Sequence, residues 1–515
     1  MTERTRPTMN RRTALQTTIG TAALAVAGCL SSEPDEVDFR IGSPWDINRD
    51  PLDGGSMVRR LGIAESLLSV DYEANPAPGI ATEWDRPDDY HWEFSLREDV
   101  TFHDGDSLEA ETAVESLERT FNAASFTDLP VESIDATDET TIEIATETPF
   151  SPLPAHLARS DACILNPTTF GDEGSVSELI STGPFAVDEF QPGTSVTTVR
   201  HEEYYGEVPE IESVRCEIIE DDQTRRMNLE NGDIDMARIM PLEMVESLET
   251  NDDIEHYMPE IPRIRFLTFD TESEPFDDAD VRRAVNFAID LEGLTESILA
   301  GVDEPAVGPF SEEITEWANP DLEGYEHDPE RARDLLADAG WTAAGSDDVR
   351  TRDGEALEIE FVTFDSRSLP LIAEVLQDDL ATVGFDVDVS TVEYNAMLDE
   401  VGQGSFDGYL TSWGTLQYPD PDRIAEMFHS TDATLFHGYE NERVDELLEE
   451  ARELTDREER AERYHEVQSI VRDEAPVAFL TNYTNVVATV PELEGYEPHP
   501  TEASYGLETV SMNGE

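Results

Sequence analysis

Residues 357–389, LEIEFVTF-DSRSLPL-IAEVLQDDLATV-G-FDVDV, decide the fold class. Leu357 to Phe364 is rich in β-formers and reads as a strand. Ile372 to Val383 carries apolar residues at helical spacing and stops at Gly384. Phe385 to Val389 reads as a second strand. Strand, helix and strand in succession form a βαβ unit, whose two strands lie parallel with the helix packed on the sheet. The class is therefore α/β.

Working outward, helices recur. Asp328-Pro329-Glu330 supplies an N-cap, a proline at the first helical position and an early acid. Ala332, Leu335, Leu336 and Ala339 follow on one face, and Gly340 ends the helix. The same spacing appears at Ala110, Ala113, Val114, Leu117, at Val281, Ala284, Val285, Ala288, and at Val444, Leu447, Leu448, Ala451. Thr455-Asp456-Arg457-Glu458 has the pattern of a capping box. Period-two alternation predicts strands at Trp92, Phe94, Leu96, at Val214, Cys216, Ile218, and at Ile264, Phe266, Thr268. No internal repeat or low-complexity segment is present.

The 515 residues contain no lysine. All 33 cationic residues are arginine, against 117 Asp and Glu, for a formal net charge of −84. Such an excess excludes a nucleic-acid binder, which needs clustered cations. It also disfavours charge-driven docking on anionic lipid. Self-repulsion on this scale opposes compaction in dilute buffer. At about 1 M salt the screening length falls to roughly 3 Å and the repulsion largely disappears. A lysine-free acidic surface thus points to a protein built for molar salt, similar to those of extremely halophilic archaea.

At the N-terminus, Asn10-Arg11-Arg12-Thr13-Ala14-Leu15 is a twin-arginine pattern. The uncharged stretch from Gln16 to Gly28 is too short to span a bilayer, so residues 1–28 read as an export signal. Val26-Ala27-Gly28-Cys29 looks like a lipobox, which makes Cys29 the expected site of a lipid anchor, with residues 29–37 as a tether. No later apolar run is long enough to cross a membrane. Cys163 and Cys216 are either a disulfide or two buried thiols.

Chemistry-bearing motifs are scarce. Without lysine there is no P-loop and no Schiff-base chemistry. G-x-S-x-G, H-E-x-x-H, C-x-x-C and G-x-G-x-x-G do not occur. A secreted hydrolase would need such a constellation, so no catalytic residue, no metal ligand and no cofactor is assigned. Asp420-Pro421-Asp422 reads as a turn leading into a helix near Ile424. The distinctive loop is Trp413-Gly414-Thr415-Leu416-Gln417-Tyr418-Pro419, which follows the expected strand Tyr409–Thr411. Ligands of α/β sheets bind at loops after strands, and Trp and Tyr there offer rigid contact area.

Four segments in order carry a resemblance. They are Trp92 to Leu96 running to Phe102-His103-Asp104-Gly105; Ser181-Thr182-Gly183-Pro184-Phe185 with Asn231-Gly232-Asp233; Pro275-Phe276-Asp277-Asp278 into Val281 to Asp290; and Trp413-Gly414 with Tyr418-Pro419-Asp420 and Glu474-Ala475-Pro476-Val477. Together they resemble the family 5 extracellular solute-binding proteins of ABC importers, the peptide- and nickel-binding group. The resemblance implies a two-lobed type II periplasmic-binding-protein-like fold with an extra inserted domain, and no enzymatic activity. It places 38–66, 178–268 and 485–515 in lobe I, 67–177 in the inserted domain and 269–484 in lobe II. The chain would cross between lobes near Thr268–Glu272 and near Asn482–Val486.

The resemblance also implies a lipid-anchored receptor on the outer face of the membrane, a monomer that passes a small-molecule or peptide ligand to an ABC permease and ATPase complex. Oligopeptide or dipeptide is the default ligand; a nickel chelate or sugar oligomer is the alternative. Trp413, Gly414, Thr415, Leu416 and Tyr418 become ligand-binding candidates. Peptide-binding members commonly carry an Asp where this chain has Leu416, and a leucine cannot neutralise an ammonium group. Arg367 resembles a position where some members hold a ligand carboxylate. The Ser181–Pro184 turn either lines the cleft or is structural.

Overall fold

The structure, a computed structural model, describes residues 37–513 except 172–173, 344, 346–347, 403–405, 417 and 434–437. The export signal, Cys29, the tether up to residue 36 and Gln417 lie outside the described residues.

Two sheets organise the chain. The first has seven strands in the order Glu255–Tyr257, Val487–Thr489, Met236–Ala237, Phe39–Ser43, Ser213–Ile218, Ser195–Arg200, Phe185–Gln191. The second has six: Glu304–Pro305, Val477–Thr484, Glu260–Phe269, Gly408–Gly414, Glu358–Phe364, Asp386–Val392. The βαβ unit is present there as read. Glu358–Phe364 and Asp386–Val392 pair in parallel, and the intervening helix spans Leu369–Ala381. That helix buries Leu369, Ile372, Ala373, Leu376 and Leu380 in the core of the second lobe. It ends where Gly384 takes φ +100°, a conformation that favours glycine.

A separate four-stranded antiparallel sheet, Ala81–Asp88, His91–Leu96, Thr141–Thr146 and Val131–Ala136, is covered by the helix Ala110–Phe121. Its inward face holds Trp92, Phe94, Leu96, Ile142 and Ile144, the alternate positions that the strand pattern requires. The periodic segments around Val281, Leu335 and Leu447 fold as the helices Ala279–Ala288, Pro329–Asp338 and Glu442–Glu453. Asp328 caps the second through its carboxylate and the Arg331 N–H. The helix Arg457–Glu474 is capped by Asp456, one residue later than the Thr455 capping box predicts. The Asp456 carboxylate accepts from Glu459 N at 3.0 Å.

One expected boundary moves. The family resemblance places residues 260–268 in lobe I, yet Glu260–Phe269 pairs antiparallel with Gly408–Gly414 and Val477–Thr484 in the second sheet. The chain therefore passes from the first sheet to the second between Tyr257 and Glu260, not near Thr268–Glu272. It returns between Thr484 and Val487. The two passages lie side by side, with Asn485 N donating to Pro259 O at 2.9 Å.

Cys163 and Cys216 are free and buried in the first core. Burial pushes their thiols up to about 11 and about 12. The Ser181–Pro184 turn is structural. Ser181 and Thr182 are fully buried, and Thr182 donates to the Glu65 carboxylate at 2.8 Å. A Cβ on Gly183 would sit 2.3 Å from Gly62 O.

Candidate functional site

Four strand ends aim at one place. Phe39–Ser43 runs parallel to Met236–Ala237 in the first sheet, and Glu358–Phe364 parallel to Gly408–Gly414 in the second. Just beyond their carboxyl ends come Trp45, Arg238, Arg367 and Thr415. The crevice outside the carboxyl ends of parallel strands is the general ligand position of open α/β sheets. Here the crevices of both sheets face each other, since the Arg367 guanidinium lies 5.2 Å from the Trp45 ring across the gap.

The second sheet supplies a cationic floor. Arg263 and Arg265 occupy alternate positions of Glu260–Phe269, so both point to one face, opposite Gly414 and Ser412. Arg265 is buried, pairs with Asp303 and donates to Thr481 Oγ1 at 3.0 Å. Its Nε donates to the Arg367 carbonyl at 3.0 Å. Tyr483 lies between two guanidiniums, 4.5 Å from Arg265 and 4.8 Å from Arg367. Cation–π attraction offsets part of the cost of gathering these charges.

The first lobe answers with Arg60, Arg238 and Glu502. Arg238 Nη2 donates to Glu502 Oε1 at 2.9 Å, and Asn485 Nδ2 donates to the same oxygen at 2.7 Å. Arg60 donates from Nε to the Glu502 carbonyl at 3.1 Å. Burial alone would raise the Glu502 carboxyl, but Arg60, Arg238, Arg367 and Arg263 together hold it down to about 2. Backbone strain collects at the same place. Arg367, Ser368 and Glu502 all have positive φ, at 53°, 61° and 55°. Residues with a Cβ rarely adopt that region, and surrounding contacts must hold them there.

The sequence candidates separate into two groups. Arg367 stands in this crevice. Trp413 is on the opposite side of its strand from Ser412, half-buried, with the Arg423 guanidinium 4.4 Å from its ring. Tyr418 is buried against the inserted region, its ring 4.3 Å from that of His156. Burial, followed by the charges of Arg159, Arg452 and Arg423, lowers that imidazole well below its usual range. Gly414 lines the strand opposite Arg263. Thr415 is 1% exposed, tied to Pro262 O by its N–H at 2.8 Å. Leu416, also 1% exposed, is packed in the apolar core with Ile264, Phe266 and Ile424. In this conformation Leu416 and Thr415 present no surface to a ligand, so they serve packing rather than contact. Asp420-Pro421-Asp422 opens a short helix as expected, with Asp420 accepting from Asp422 N at 2.9 Å.

Sequence reasoning did not single out Trp45, Arg60, Arg238, Arg263, Tyr483 or Glu502. One cue was legible. Arg263 and Arg265 alternate with Ile264 and Phe266, which puts charge at inward-facing positions of a strand in a chain poor in cations.

Two lobes, a double crossing and a polar crevice between the sheets define an extracellular solute-binding protein, a binding protein rather than an enzyme. Residues 75–435 match the profile of the bacterial extracellular solute-binding proteins, family 5. The chain belongs to that family. It is 28% identical to the probable D,D-dipeptide-binding periplasmic protein DdpA of Escherichia coli, over 86% of each chain. The nickel-binding periplasmic protein of the same organism is 25% identical over 94% of this chain and 97% of its own. The solved structure of the periplasmic binding protein DppA from Helicobacter pylori, in complex with the peptide STSA, superposes with a TM-score of 0.78. It covers 92% of this chain and 98% of that one, at 24% identity. Among the described residues, no helix is long and apolar enough to cross a membrane.

Proposed function

We propose that the protein is a receptor held on the outer face of the cell membrane by a lipid on Cys29. It captures a small solute and presents it to an ABC permease and ATPase complex. The twin-arginine pattern fits export of the folded chain, and the net charge of −84 fits folding and work in molar salt. The observation that carries the reading is the convergence of four strand ends from two sheets on one crevice lined by arginine and aromatic side chains. Oligopeptide or dipeptide is the ligand class we assign first, in keeping with the relatives named for dipeptide and peptide binding. A nickel chelate is the second reading, in keeping with the nickel-binding relative.

Thermal unfolding in molar KCl tests the reading. A ligand that binds only the folded chain, at about 100 times its Kd, adds roughly 2.7 kcal/mol of stability. Peptides are expected to shift the transition; a shift with nickel–histidine or sugar oligomers alone would keep the receptor and discard the peptide. For the anchor, Cys29→Ala is expected to move the protein from the membrane fraction to the medium. Retention on the membrane would discard the lipid.

A further inference from the structure

The four-stranded sheet is tied to the first lobe, since Cys163 and Leu165, which follow it in sequence, lie in that lobe's core. Yet the same region grips the second lobe in three places. Ser151 N donates to the Arg452 carbonyl at 2.7 Å, and Ser151 Oγ donates to the Leu454 carbonyl. Those carbonyls end the helix Glu442–Glu453, which has no N–H of its own left to offer them. Asn75 Oδ1 accepts from Arg457 Nη2 at 2.8 Å, next to Ala74, which is buried in the core around Leu416 and Tyr464. The third contact is the His156 ring, 4.3 Å from the Tyr418 ring. Any separation of the lobes has to break all three.

His156 is buried in this contact, and both of its nitrogens are set for the neutral ring. Nδ1 lies 3.4 Å from Arg159 Nη1, which only donates, so Nδ1 accepts and Nε2 carries the hydrogen. Nε2 meets no acceptor among the described residues. The charges that face the ring are cationic: Arg159 from its own side, Arg452 and Arg423 from the second lobe. The nearby carboxylates are turned to those arginines, Asp161 to Arg159, Glu426 to Arg423, and Asp422 and Asp432 to Arg452. Phe150 and Tyr418 pack against the imidazole, and burial pushes the Tyr418 hydroxyl far up, so it stays neutral. Burial first, and then the three guanidiniums, holds the His156 imidazole well below its ordinary range. His103 and His499 are buried too, but they bond to Gly183 O and Val70 O, outside the second lobe.

We propose that His156 is a proton-sensitive clasp between the lobes: neutral, it holds the receptor closed, and protonated, it lets the lobes part. The proposal goes beyond the receptor reading and does not depend on which solute is bound. A proton has no place in the clasped state. It would put a charge on a buried ring, set that charge against three arginines and take Nδ1 away from Arg159. Once the lobes part, the ring meets water and takes up the proton at its ordinary value. The clasp is therefore at full strength above about pH 6.5 and is lost as pH falls below it, the open form gaining up to about tenfold per pH unit. A receptor built this way holds its solute in neutral medium and gives it up in acid.

Small-angle X-ray scattering of the protein without solute, in molar KCl from about pH 8 to about pH 5, tests the clasp. The radius of gyration is expected to rise as pH falls through about 6. His156→Gln, neutral throughout, should stay compact over the range, and His156→Arg should be open at both ends of it. Ser151→Ala weakens the clasp without touching the ring, so its opening should move to higher pH. His103→Gln should open as the parent does. Circular dichroism checks that the fold is the same in each comparison. A parent whose radius of gyration does not change, or His156→Gln opening at the parent's midpoint, would overturn the inference. Nitrogen NMR of the histidine rings reads the unaltered chain: the His156 signal should stay neutral until the radius grows, and titration at its ordinary value in the compact protein would overturn the inference as well. Because no solute is present, failure of the receptor reading would show separately, as silence in the thermal unfolding panel.

Discussion

Two groups of arginines can be set side by side. Arg460 is buried and meets Asp420 in a bidentate pair, at 2.8 Å and 3.0 Å; nearby Arg452 meets Asp422 at 2.6 Å and Asp432 at 2.8 Å. Burial would lower the Arg460 guanidinium, but the Asp420 carboxylate raises it above its ordinary range. Arg263 and Arg367, with buried nitrogens of their own, meet no carboxylate within 4.0 Å among the described residues and lie close enough to repel. The same side chain is put to different uses. A matched guanidinium locks the helices Glu442–Glu453 and Arg457–Glu474 onto the Asp420–Asp422 turn, whereas Arg263 keeps a single bond to the Ser412 carbonyl. Arg225, Arg282 and Arg350 form a third group, buried and held by backbone carbonyls.

The comparison can be broken most decisively at the matched group. Asp420→Ala strands the buried Arg460 charge, and breaking such a pair costs about 3–5 kcal/mol. Denaturant unfolding in molar KCl should show that loss; a loss under about 1 kcal/mol would mean that the pair is not structural.

Glu502 stands between the two groups, and acid titration sharpens its part. Its folded carboxyl, held down to about 2, releases its proton more readily than the unfolded one does. Its contribution is therefore complete above the ordinary glutamate range and is lost as pH falls from there toward 2. Linkage puts that contribution at roughly 3 kcal/mol. The acid limb of stability against pH should flatten by about this amount in Glu502→Gln, and an unchanged limb would remove Glu502 from the ledger of paired charges.

At the unmatched group the expected sign reverses. Arg263→Gln removes a buried charge that has no carboxylate within 4.0 Å among the described residues and meets Glu502 only at longer range, so the protein should gain about 1 kcal/mol. A stability loss instead would place Arg263 with the matched arginines. The smallest effect belongs to the surface. Arg443 and Glu466 meet at 2.9 Å but are 43% and 46% exposed, so Glu466→Gln should leave the unfolding midpoint unmoved in molar salt.

Local signals predicted local structure well. The βαβ unit, the Asp328 cap and the periodic helices need only residues a few positions apart, and each is found where the spacing puts it. Sheet membership was not legible in the same way. Ile264, Phe266 and Thr268 announce a strand, but only pairing with Gly408–Gly414 shows which sheet owns it. The crevice was read least. Arg367 and the loop from Trp413 were visible as aromatic and cationic residues after strands, and the family resemblance pointed to them. Trp45, Arg238, Arg263, Tyr483 and Glu502 come from five separated segments, and no periodicity links them. The placement of Leu416 was not legible for a related reason. A lone leucine in a loop reads the same whether it faces a ligand or a core, and Ile264 and Phe266 claim it for the core.

The paired passages between the sheets have a mechanical consequence. Only residues 258–259 and 485–486 join the strands on either side, and Asn485 N bonds to Pro259 O between them. Two short links fastened together resist shear and allow rotation about the line through them, as a door turns on its pins. Opening and closing are thereby confined to nearly a single coordinate.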